Sequence, residues 1–389
     1  MATLAAASGI TVGNVYLCQP LLDQIATNIG VSAQVSGLVA VGAQVGYALG
    51  ILFVLPLADT IPARQMVRIL SLATALFLLA AALSPAIPLL ISASAVLAAT
   101  TVIPQVLIPV ISGLSAPKQR GRVIGTLQTG LILGILLSRT VSGSVAQVSG
   151  SWRAPYLLAA VLTGALAIVV PRLIPARTGT AQHTGYLNLL RSLPPLLRHR
   201  PLRLSTALGF LVFAAFSALW ASLAFHLASS AFRLGPAAAG LFGLYGAPGA
   251  ILAPMAGRLS DRFGALRVNL LSLVAVGAAF LIAGLPGAFS LAALVVTVNL
   301  LDFGLQTGQI ANQTRIFALG NDIRARVNTL YMVGTFSGGA FGSFAGSVAW
   351  SIGGWHCVCM LALLLVAAAG GTLSLHLRGQ AAQSHPSGA

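Results

Sequence analysis

The sequence predicts an all-α membrane protein with twelve transmembrane helices arranged in two pseudo-symmetric six-helix bundles. Three observations lead to this prediction: an apolar composition, an alternating distribution of basic residues and an internal repeat. Of 389 residues, 57% are hydrophobic and 7% are charged, whereas soluble domains carry about 25% charged residues. A soluble fold could not hide so much apolar surface from water, and a disordered chain needs low hydrophobicity with high charge. The composition therefore excludes both classes.

Twelve apolar runs are long enough to cross a bilayer, which takes about 20 residues of helix. They cover about 2–22, 34–57, 67–86, 88–112, 122–148, 154–171, 204–227, 236–257, 268–286, 288–313, 326–350 and 355–377. An open strand edge cannot satisfy its hydrogen bonds in lipid, so the runs are predicted to be helices. The predicted domains are an N-terminal bundle at 1–171, a central loop at 172–203, a C-terminal bundle at 204–377 and a tail at 378–389.

The basic residues orient the predicted helices. The chain has 21 Lys and Arg residues against 5 acidic residues, which gives a formal charge of +16. In a soluble protein that excess would indicate nucleic-acid binding. Here 18 of the 21 lie in alternate gaps between the apolar runs, and six of these lie in the central loop. By the positive-inside rule these gaps are cytoplasmic, which places both termini and the central loop in the cytoplasm and argues against a nucleic-acid partner.

The two halves of the chain repeat each other at a nearly constant spacing. Leu57–Asp59 recurs 202 residues later as Leu259–Asp261, and Arg120–Val123 recurs 204 residues later as Arg324–Val327. A spacing of 204 also relates Gly130 and Gly334, Gly134 and Gly338, and Gln105 and Gln309, and Trp152 lies 203 residues before Trp355. Such a duplication implies two bundles related by an axis along the membrane normal, which is typical of transporters whose binding site lies between the halves.

Two charged residues fall inside predicted spans, Arg139 in the fifth and Asp302 in the tenth. A charge at the bilayer centre costs about 2.5–3.5 kcal/mol even on a mild insertion scale, so such residues usually face a cavity or each other. Burial favours the neutral form of a carboxyl group, whereas a neighbouring arginine favours the charged form. Asp302 is therefore the candidate proton carrier, modulated by Arg139. The alternative is a permanent ion pair that holds the two spans together.

The tenth span carries a polar stripe of five residues, namely Asn299, Asp302, Gln306, Gln309 and Gln313. Their spacings of three and four residues place them on one helical face. A stripe of this length either lines a water-filled cavity or packs in a buried network. Weaker polar positions occur in the first and fourth spans. The substrate-binding candidates are Asn14, Tyr16, Gln19, Gln105, Asn299, Gln306, Gln309 and Gln313.

A loop motif identifies a family. Gly257–Gly264 reads G-R-L-S-D-R-F-G and is similar to the motif that follows the second span in the major facilitator superfamily. The first-half copy keeps Asp59 and Arg64 but has Thr60 and Pro62 where the family has a basic residue and a glycine. The chain resembles this superfamily over its whole length, which implies the fold predicted above.

Three further stretches resemble the arabinose-efflux-permease-like group of bacterial exporters, namely Asn14–Leu22, Ser138–Gly143 and Asn328–Met332. Antiporters of the superfamily often carry Gly-Pro in the fifth span, where this chain has Ser138 and Arg139. The resemblance therefore favours export, whereas the arginine departs from the antiporter motif and weakens the inference of antiport.

The resemblance also implies a gate. In the superfamily, the acidic residue of the loop motif helps to lock the two halves together when the cytoplasmic side is closed. A carboxylate at a helix end can meet basic residues or a helix N-terminus across such an interface. The alternative is a solvated loop charge. The gating motif would comprise Asp59, Arg64, Gly257, Asp261, Arg262 and Gly264.

The sequence contains no nucleophile motif, metal-ligand pattern or ATP-binding loop, so we expect no enzyme, no metal site and no cofactor. We expect a monomeric secondary transporter of the bacterial inner membrane that works by alternating access. The proton gradient would drive efflux of a small organic compound, such as a drug or a sugar-like metabolite. Protons, the substrate and membrane lipid would be its partners. The alternatives are an importer or uniporter of a sugar-like or anionic metabolite, and a transport-inactive membrane sensor.

Overall fold

The computed structural model describes residues 1–116, 119–175, 185–251, 258–260, 262–284, 290–320 and 322–384, without the side chains of 59, 250, 251 and 379–384. Within these ranges the chain forms helices and short connections and contains no strand. The predicted fold class, an all-α membrane protein, is confirmed.

Fifteen helices follow one another in the described ranges. They are α1 (Ala2–Gly13), α2 (Leu22–Ile29), α3 (Ala33–Leu49), α4 (Ala63–Ala82), α5 (Ile87–Thr100), α6 (Ile103–Leu114), α7 (Arg120–Ser149), α8 (Arg153–Leu173), α9 (Tyr186–Arg191), α10 (Arg200–Ala228), α11 (Pro236–Tyr245), α12 (Ala247–Ile251), α13 (Ala265–Gly284), α14 (Leu291–Phe317) and α15 (Arg324–Ser384). Nine helical stretches in the described residues are long and apolar enough to cross a membrane. The helix α1 is apolar but shorter, and the last stretch, Arg324–Arg378, contains two predicted spans.

The two predicted spans within α15 are separated by a break at Gly353 and Gly354. Gly354 has a φ of 61°, in the left-handed region that glycine adopts at little cost. Directly after the break, the indole N–H of Trp355 donates a hydrogen bond of 2.9 Å to the carbonyl of Ala283. The break therefore falls in the gap between the predicted spans 326–350 and 355–377.

The first predicted span, 2–22, is not one continuous helix. The helix α1 ends at Gly13, and turns followed by a 3-10 segment lead to α2. Backbone bonds to the third preceding residue, such as that from Tyr16 to Gly13 at 3.0 Å, replace the α-helical pattern. Pro20 has no N–H to continue the helix, and the hydroxyl of Ser142 donates to the carbonyl of Leu17 at 2.7 Å. Buried polar partners thus support the break.

The fourth predicted span, 88–112, is divided into α5 and α6 at Thr101 and Val102. Pro104 lacks the N–H that would have bonded to the carbonyl of Thr100 in a continuous helix. At the end of α5, the hydroxyl of Thr100 donates to the carbonyl of Leu97 at 2.9 Å. A proline near the middle of the span accounts for this interruption.

Internal contacts divide the chain into two units. The first unit contains residues 1–191 and 220–245, and the second contains residues 192–219 and 246–389. The helix α10 contributes its first part to the second unit and its last nine residues, from Trp220, to the first. The predicted domain limits remain a prediction.

In the first unit, small residues allow helices to approach closely. A methyl group at Gly134 would overlap the backbone of Gly9, and one at Gly130 would overlap the backbone of Ala5. The helices α1 and α7 therefore pack with their backbones nearly in contact, which is a common way for helices to associate in membranes. In the same way, the absence of a side chain at Gly46 allows α3 to pack closely against α5.

In the second unit, α15 packs against the first part of α10 along a similar seam. Methyl groups at Gly338 and Gly342 would overlap the backbones of Phe210 and Ala214. On the other side of the unit, α14 packs against α13, where the hydroxyl of Ser272 donates to the carbonyl of Gly304 at 2.6 Å. These contacts fix the helices that carry the polar residues described below.

Candidate functional site

Arg139 is the centre of a buried polar cluster in the first unit. Its side chain is only 1% exposed, and it lies in α7, which crosses this unit. Its guanidinium carbon lies 3.9 Å from the ring centre of Trp220 and 4.8 Å from that of Tyr16. Its Nε–H donates to the side-chain oxygen of Gln19 at 2.7 Å. Aromatic faces attract a cation more strongly when water is excluded, so the two rings offset part of the cost of burying this charge.

The break in the first span builds this cluster. Tyr16 lies in the turns that follow α1, Gln19 begins the 3-10 segment before α2, and both are buried. The hydroxyl of Ser142, one turn after Arg139 in α7, holds the segment through the carbonyl of Leu17. The candidates Tyr16, Gln19 and Arg139 are thus brought together.

Glycines of α11 complete the surroundings of Arg139. A methyl group at Gly243 would lie 3.1 Å from its Cβ, and one at Gly240 would overlap its carbonyl oxygen. The hydroxyl of Thr140 donates to the carbonyl of Gly240 at 2.9 Å. The helices α7 and α11 therefore approach closely at this level of the first unit.

The other candidates in the first unit contact neighbouring helices. The amide of Asn14 donates to the hydroxyl of Thr163 in α8 at 3.2 Å, and Asn14 is buried. The amide of Gln105 donates to the hydroxyl of Tyr47 in α3 at 3.4 Å, and Gln105 is half-buried. No contact places either residue at the Arg139 cluster within the described residues.

Asp302 lies in the second unit, near the middle of α14. Its side chain is 4% exposed. At 1.5 Å per residue it lies about 17 Å from the beginning of α14 and about 23 Å from its end. A methyl group at Gly246 would overlap its carboxylate. The carboxylate is therefore seated against bare backbone just before α12.

The remaining stripe residues of α14 differ in their contacts. The amide of Asn299 donates to the carbonyl of Val295 at 2.9 Å, and its oxygen accepts from the N–H of Gly249 at 3.2 Å. Gln306 and Gln309 are half-buried. The amide of Gln313 donates to the side-chain oxygen of Asn328 in α15 at 3.3 Å. The stripe thus extends along α14 from Asn299 to Gln313.

Gln309 borders a small polar cavity within the second unit. The cavity measures about 10 Å³, and Asn269, Asn312 and Tyr331 also line it. This volume accommodates a single water molecule. It is too small for an organic substrate.

A half-buried arginine with several buried partners is not among the sequence candidates. Arg315, near the end of α14, donates to the hydroxyl of Ser205 at 3.0 Å and to the side-chain oxygen of Asn312 at 3.1 Å. It also donates to the side-chain oxygen of Asn269. The sequence signal was an arginine within the last turn of an apolar helix, but we interpreted that position as a loop charge. Its partners come from three different helices, which spacing alone does not reveal.

The gating motif lies partly outside the described residues. Gly257 and Asp261 fall outside them, as does the side chain of Asp59. Arg64, in the first turn of α4, is exposed. Two further members of the motif lie just before α13. The guanidinium of Arg262 lies 5.2 Å from the ring centre of Phe263. Gly264 has a φ of 82°.

These features define a polytopic membrane protein with Arg139 buried in a span of the first unit and Asp302 buried in a span of the second. Buried charged residues in membrane spans are expected of a transporter. Comparison with known proteins gives the family. The sequence profile of the Major Facilitator Superfamily matches residues 4–227. An Escherichia coli relative named as an uncharacterized transporter, YgaY, is 37% identical over 358 residues, which cover 92% of this chain and 90% of the relative. The chain belongs to the Major Facilitator Superfamily.

Solved structures agree with this fold. The nucleoside transporter NupG has a TM-score of 0.72 at 15% identity, with 96% of this chain and 99% of NupG covered. A bacterial homologue of the human lysosomal transporter Spinster also has a TM-score of 0.72 at 15% identity, covering 96% and 95% of the two chains. The prediction of a transporter rather than an enzyme is confirmed by the family and by the relative YgaY, which is named as a transporter.

Proposed function

We propose that this transporter exports a small organic compound, a drug or a sugar-like metabolite, in exchange for protons and by alternating access. The observation that carries the proposal is the burial of Asp302 near the middle of a membrane-spanning helix. A charged carboxylate at this depth costs about 2.5–3.5 kcal/mol on the mild scale. Its proton occupancy therefore responds to whether water reaches it from one side of the membrane or the other.

Arg139 supplies the second charge of the mechanism. Arg139 packs against Gly243 within the first unit, and Asp302 packs against Gly246 within the second. We propose that protonation of Asp302 and the position of Arg139 are linked, so that proton binding and substrate release alternate.

Substrate contacts are proposed for the polar candidates of both units. In the first unit they are Asn14, Tyr16, Gln19 and Gln105, and in the second they are Asn299, Gln306, Gln309 and Gln313. Gln306 and Gln309 support this assignment best, because they are half-buried on the same face as Asp302. Their amides can both donate and accept hydrogen bonds, which suits a neutral polar compound.

The test is proton movement in inverted membrane vesicles that carry the full-length protein. A pH-sensitive dye reports proton release on addition of each member of a compound panel. Asp302→Asn should abolish uphill transport and compound-triggered proton release while sparing downhill exchange. Asp322→Asn is the matched control, since Asp322 is an exposed carboxylate of the same unit. Unchanged uphill transport in Asp302→Asn would refute the coupling role.

A second candidate function is import or uniport of an anionic or sugar-like metabolite. The buried guanidinium of Arg139 favours it, because a carboxylate can bind bidentately to the edge of a guanidinium. In that case Arg139→Ala should raise the substrate concentration for half-maximal uptake and leave the pH dependence unchanged. Labelled-metabolite uptake measured at several pH values separates the two functions.

We further propose the membrane arrangement expected from the charge distribution. Bundles at 1–171 and 204–377 would lie in the bacterial inner membrane, with the central loop 172–203 and the tail 378–389 in the cytoplasm. The monomer would bind lipid around its apolar surface. Asp59 and Asp261, with Arg64, Arg262 and their glycines, would close the cytoplasmic side. Labelling of a single cysteine in the tail of intact cells tests the orientation, since a reagent that cannot cross the membrane should not reach it.

A further inference from the structure

The small cavity beside Gln309 is bordered by polar groups whose orientations are fixed by neighbouring residues. It measures about 10 Å³, and its polar lining comes from α13, α14 and α15. What these groups can offer to an occupant depends on the hydrogen bonds that they already make. The buried polar residues of the lining are Asn269, Ser272, Asn312, Tyr331 and Thr335.

Arg315 fixes the orientation of the two amides. Its guanidinium donates to the side-chain oxygen of Asn312 at 3.1 Å and to that of Asn269. A guanidinium has N–H donors and no acceptor, so only the oxygen of each amide can face it. The amide nitrogen of Asn269 also donates to the carbonyl of Gly308 at 3.4 Å. Because Arg315 holds their oxygens, the two amides offer mainly N–H donors to the cavity.

The hydroxyls of Ser272 and Thr335 have the opposite preference. The hydroxyl of Ser272 donates to the carbonyl of Gly304 at 2.6 Å, and that of Thr335 donates to the carbonyl of Tyr331 at 2.9 Å. Each hydroxyl has one hydrogen, so its remaining capacity is to accept. The cavity therefore combines amide donors with hydroxyl acceptors, and the phenol of Tyr331 can act in either way.

Two glycines leave space beside the accepting hydroxyls. A methyl group at Gly209 would lie 2.6 Å from Oγ1 of Thr335. A methyl group at Gly308 would lie 2.5 Å from Oγ of Ser272. A side chain at either position would occupy the space next to an acceptor. Bare backbone at both positions thus leaves room for one small polar group.

We infer that this cavity binds one hydroxyl group of the transported compound and that Arg315 is a positioning residue for it. A hydroxyl can accept two hydrogen bonds and donate one, which matches amide donors combined with hydroxyl acceptors. The volume suits a group the size of a water molecule. Leucine and valine side chains complete the lining and suit the adjoining carbon skeleton. The inference rests on the proposed function and narrows its substrate class to hydroxylated compounds such as polyols and glycosides.

Thermal unfolding of the purified full-length protein, in a detergent without sugar head groups, tests the inference. The probes are small alditols and methyl glycosides, each paired with its fully O-methylated counterpart. We expect at least one hydroxylated probe to stabilise the protein in a saturable way, as a ligand of the folded state does. Saturation separates binding from the general stabilisation that excluded polyols give. The methylated counterpart should bind at least about tenfold more weakly, because it leaves buried polar groups unpaired.

Three substitutions separate positioning from structural support. Asn312→Asp keeps the size of the side chain and an oxygen towards Arg315 but removes the N–H donor, so the probe should bind about tenfold more weakly. Arg315→Gln, which has an acceptor as well as donors, should have a similar effect because it no longer fixes the amides. Arg315→Lys has donors only, so it should bind the probe within about threefold of the wild type.

The matched control is Ser205→Ala. Ser205 accepts from Arg315 at 3.0 Å but is not among the described residues that line the cavity. This substitution should lower the unfolding temperature and should change the dissociation constant of the probe by less than about twofold. A purely structural role of Arg315 would instead make stability and binding fall together in every variant.

The outcomes distinguish this inference from the proposed function. Saturable binding that depends on the hydroxyl groups and follows this pattern of variants supports the site, and a lack of proton release in vesicles would then overturn the proposed coupling alone. Absence of saturable binding, equal binding of the methylated counterparts, or equal losses of affinity in Asn312→Asp and Ser205→Ala would overturn the site. Because Asn312→Asp leaves Arg315 in place, it decides the result if the arginine variants do not fold.

Discussion

Replacing Gly246 by alanine tests whether bare backbone at this position is needed to seat Asp302. The added methyl group would overlap the carboxylate of Asp302 and would lie 3.0 Å from a methyl carbon of Val298. Forcing an extra methyl group into a packed interior costs typically 1–3 kcal/mol, that is, roughly a 5- to 150-fold change in the folding equilibrium. The carboxylate must move or the segment before α12 must shift, so both stability and proton coupling should suffer.

The assay combines thermal unfolding of the purified protein with the proton-release measurement in vesicles. Gly277→Ala is the matched control, because Gly277 lies inside α13 and the nearest atom to an added methyl group is 3.7 Å away. That substitution should be neutral or should stabilise by about 0.5–1 kcal/mol, the gain of alanine over glycine in a helix. We expect Gly246→Ala to unfold several degrees below the wild type and Gly277→Ala to unfold at the same temperature or above it.

A double-mutant cycle separates contact with Asp302 from general crowding. If the carboxylate is the obstacle, Gly246→Ala should cost much less in an Asp302→Ala background than in the wild type, because the shortened side chain leaves room for the methyl group. An equal cost in both backgrounds would refute the reasoning. So would a Gly246→Ala variant with wild-type stability and wild-type proton release.

Three further predictions concern packing in the two units. Arg139→Lys keeps the charge but loses the contacts with two aromatic rings and the hydrogen bond from Nε–H. Chemical unfolding should show that the free energy of unfolding falls by about 2–4 kcal/mol. An unchanged denaturation midpoint would contradict the role of this cluster. Gly338→Val should lower the folded fraction on size-exclusion chromatography, because the added side chain overlaps the backbone of α10. The control Gly371→Val should elute as the wild type does, because no atom lies within 4 Å of a Cβ added at Gly371. Ser142→Ala should lower the free energy of unfolding by about 1–3 kcal/mol, because the buried carbonyl of Leu17 loses its donor. The control Ser149→Ala should lower it by less than about 0.5 kcal/mol. Equal effects of the two variants in thermal unfolding would contradict the role of the Ser142–Leu17 hydrogen bond.

Composition and periodicity were sufficient to predict the helical fold, because the length of an apolar run is set by the thickness of the bilayer. They could not predict the break before α2. That break depends on a hydrogen bond between Ser142 and Leu17, which are 125 residues apart. Pro20 shows only that a helix cannot continue normally at this point. The sequence does not show which residue supplies a donor to the carbonyl of Leu17.

The candidate site shows the same limit. The stripe on α14 follows from spacing alone, because residues three and four apart must share a helical face. The position of the Trp220 ring over Arg139 does not follow from spacing, because these residues are 81 positions apart in sequence and lie in different helices. Arg315 was overlooked for a related reason. A sequence shows the position of an arginine but not whether its charge is compensated by residues of other helices.

The repeated and unrepeated residues of the two halves have different physical roles. Gly130 and Gly134 seat α7 against α1 in the first unit, and their repeats Gly334 and Gly338 seat α15 against α10 in the second. The duplication therefore preserves the close packing of paired helices within each unit.

The buried charges of the spans are not duplicated. The position equivalent to Arg139, 204 residues later, is Ser343, and the position equivalent to Asp302, 204 residues earlier, is Ala98. Both equivalents are buried and uncharged. A helix seam needs only small residues, so both halves can keep it, whereas a charged residue in a span costs free energy wherever it occurs. The duplication has therefore kept the close helix seams in both units, whereas Arg139 and Asp302 have uncharged counterparts in the opposite half.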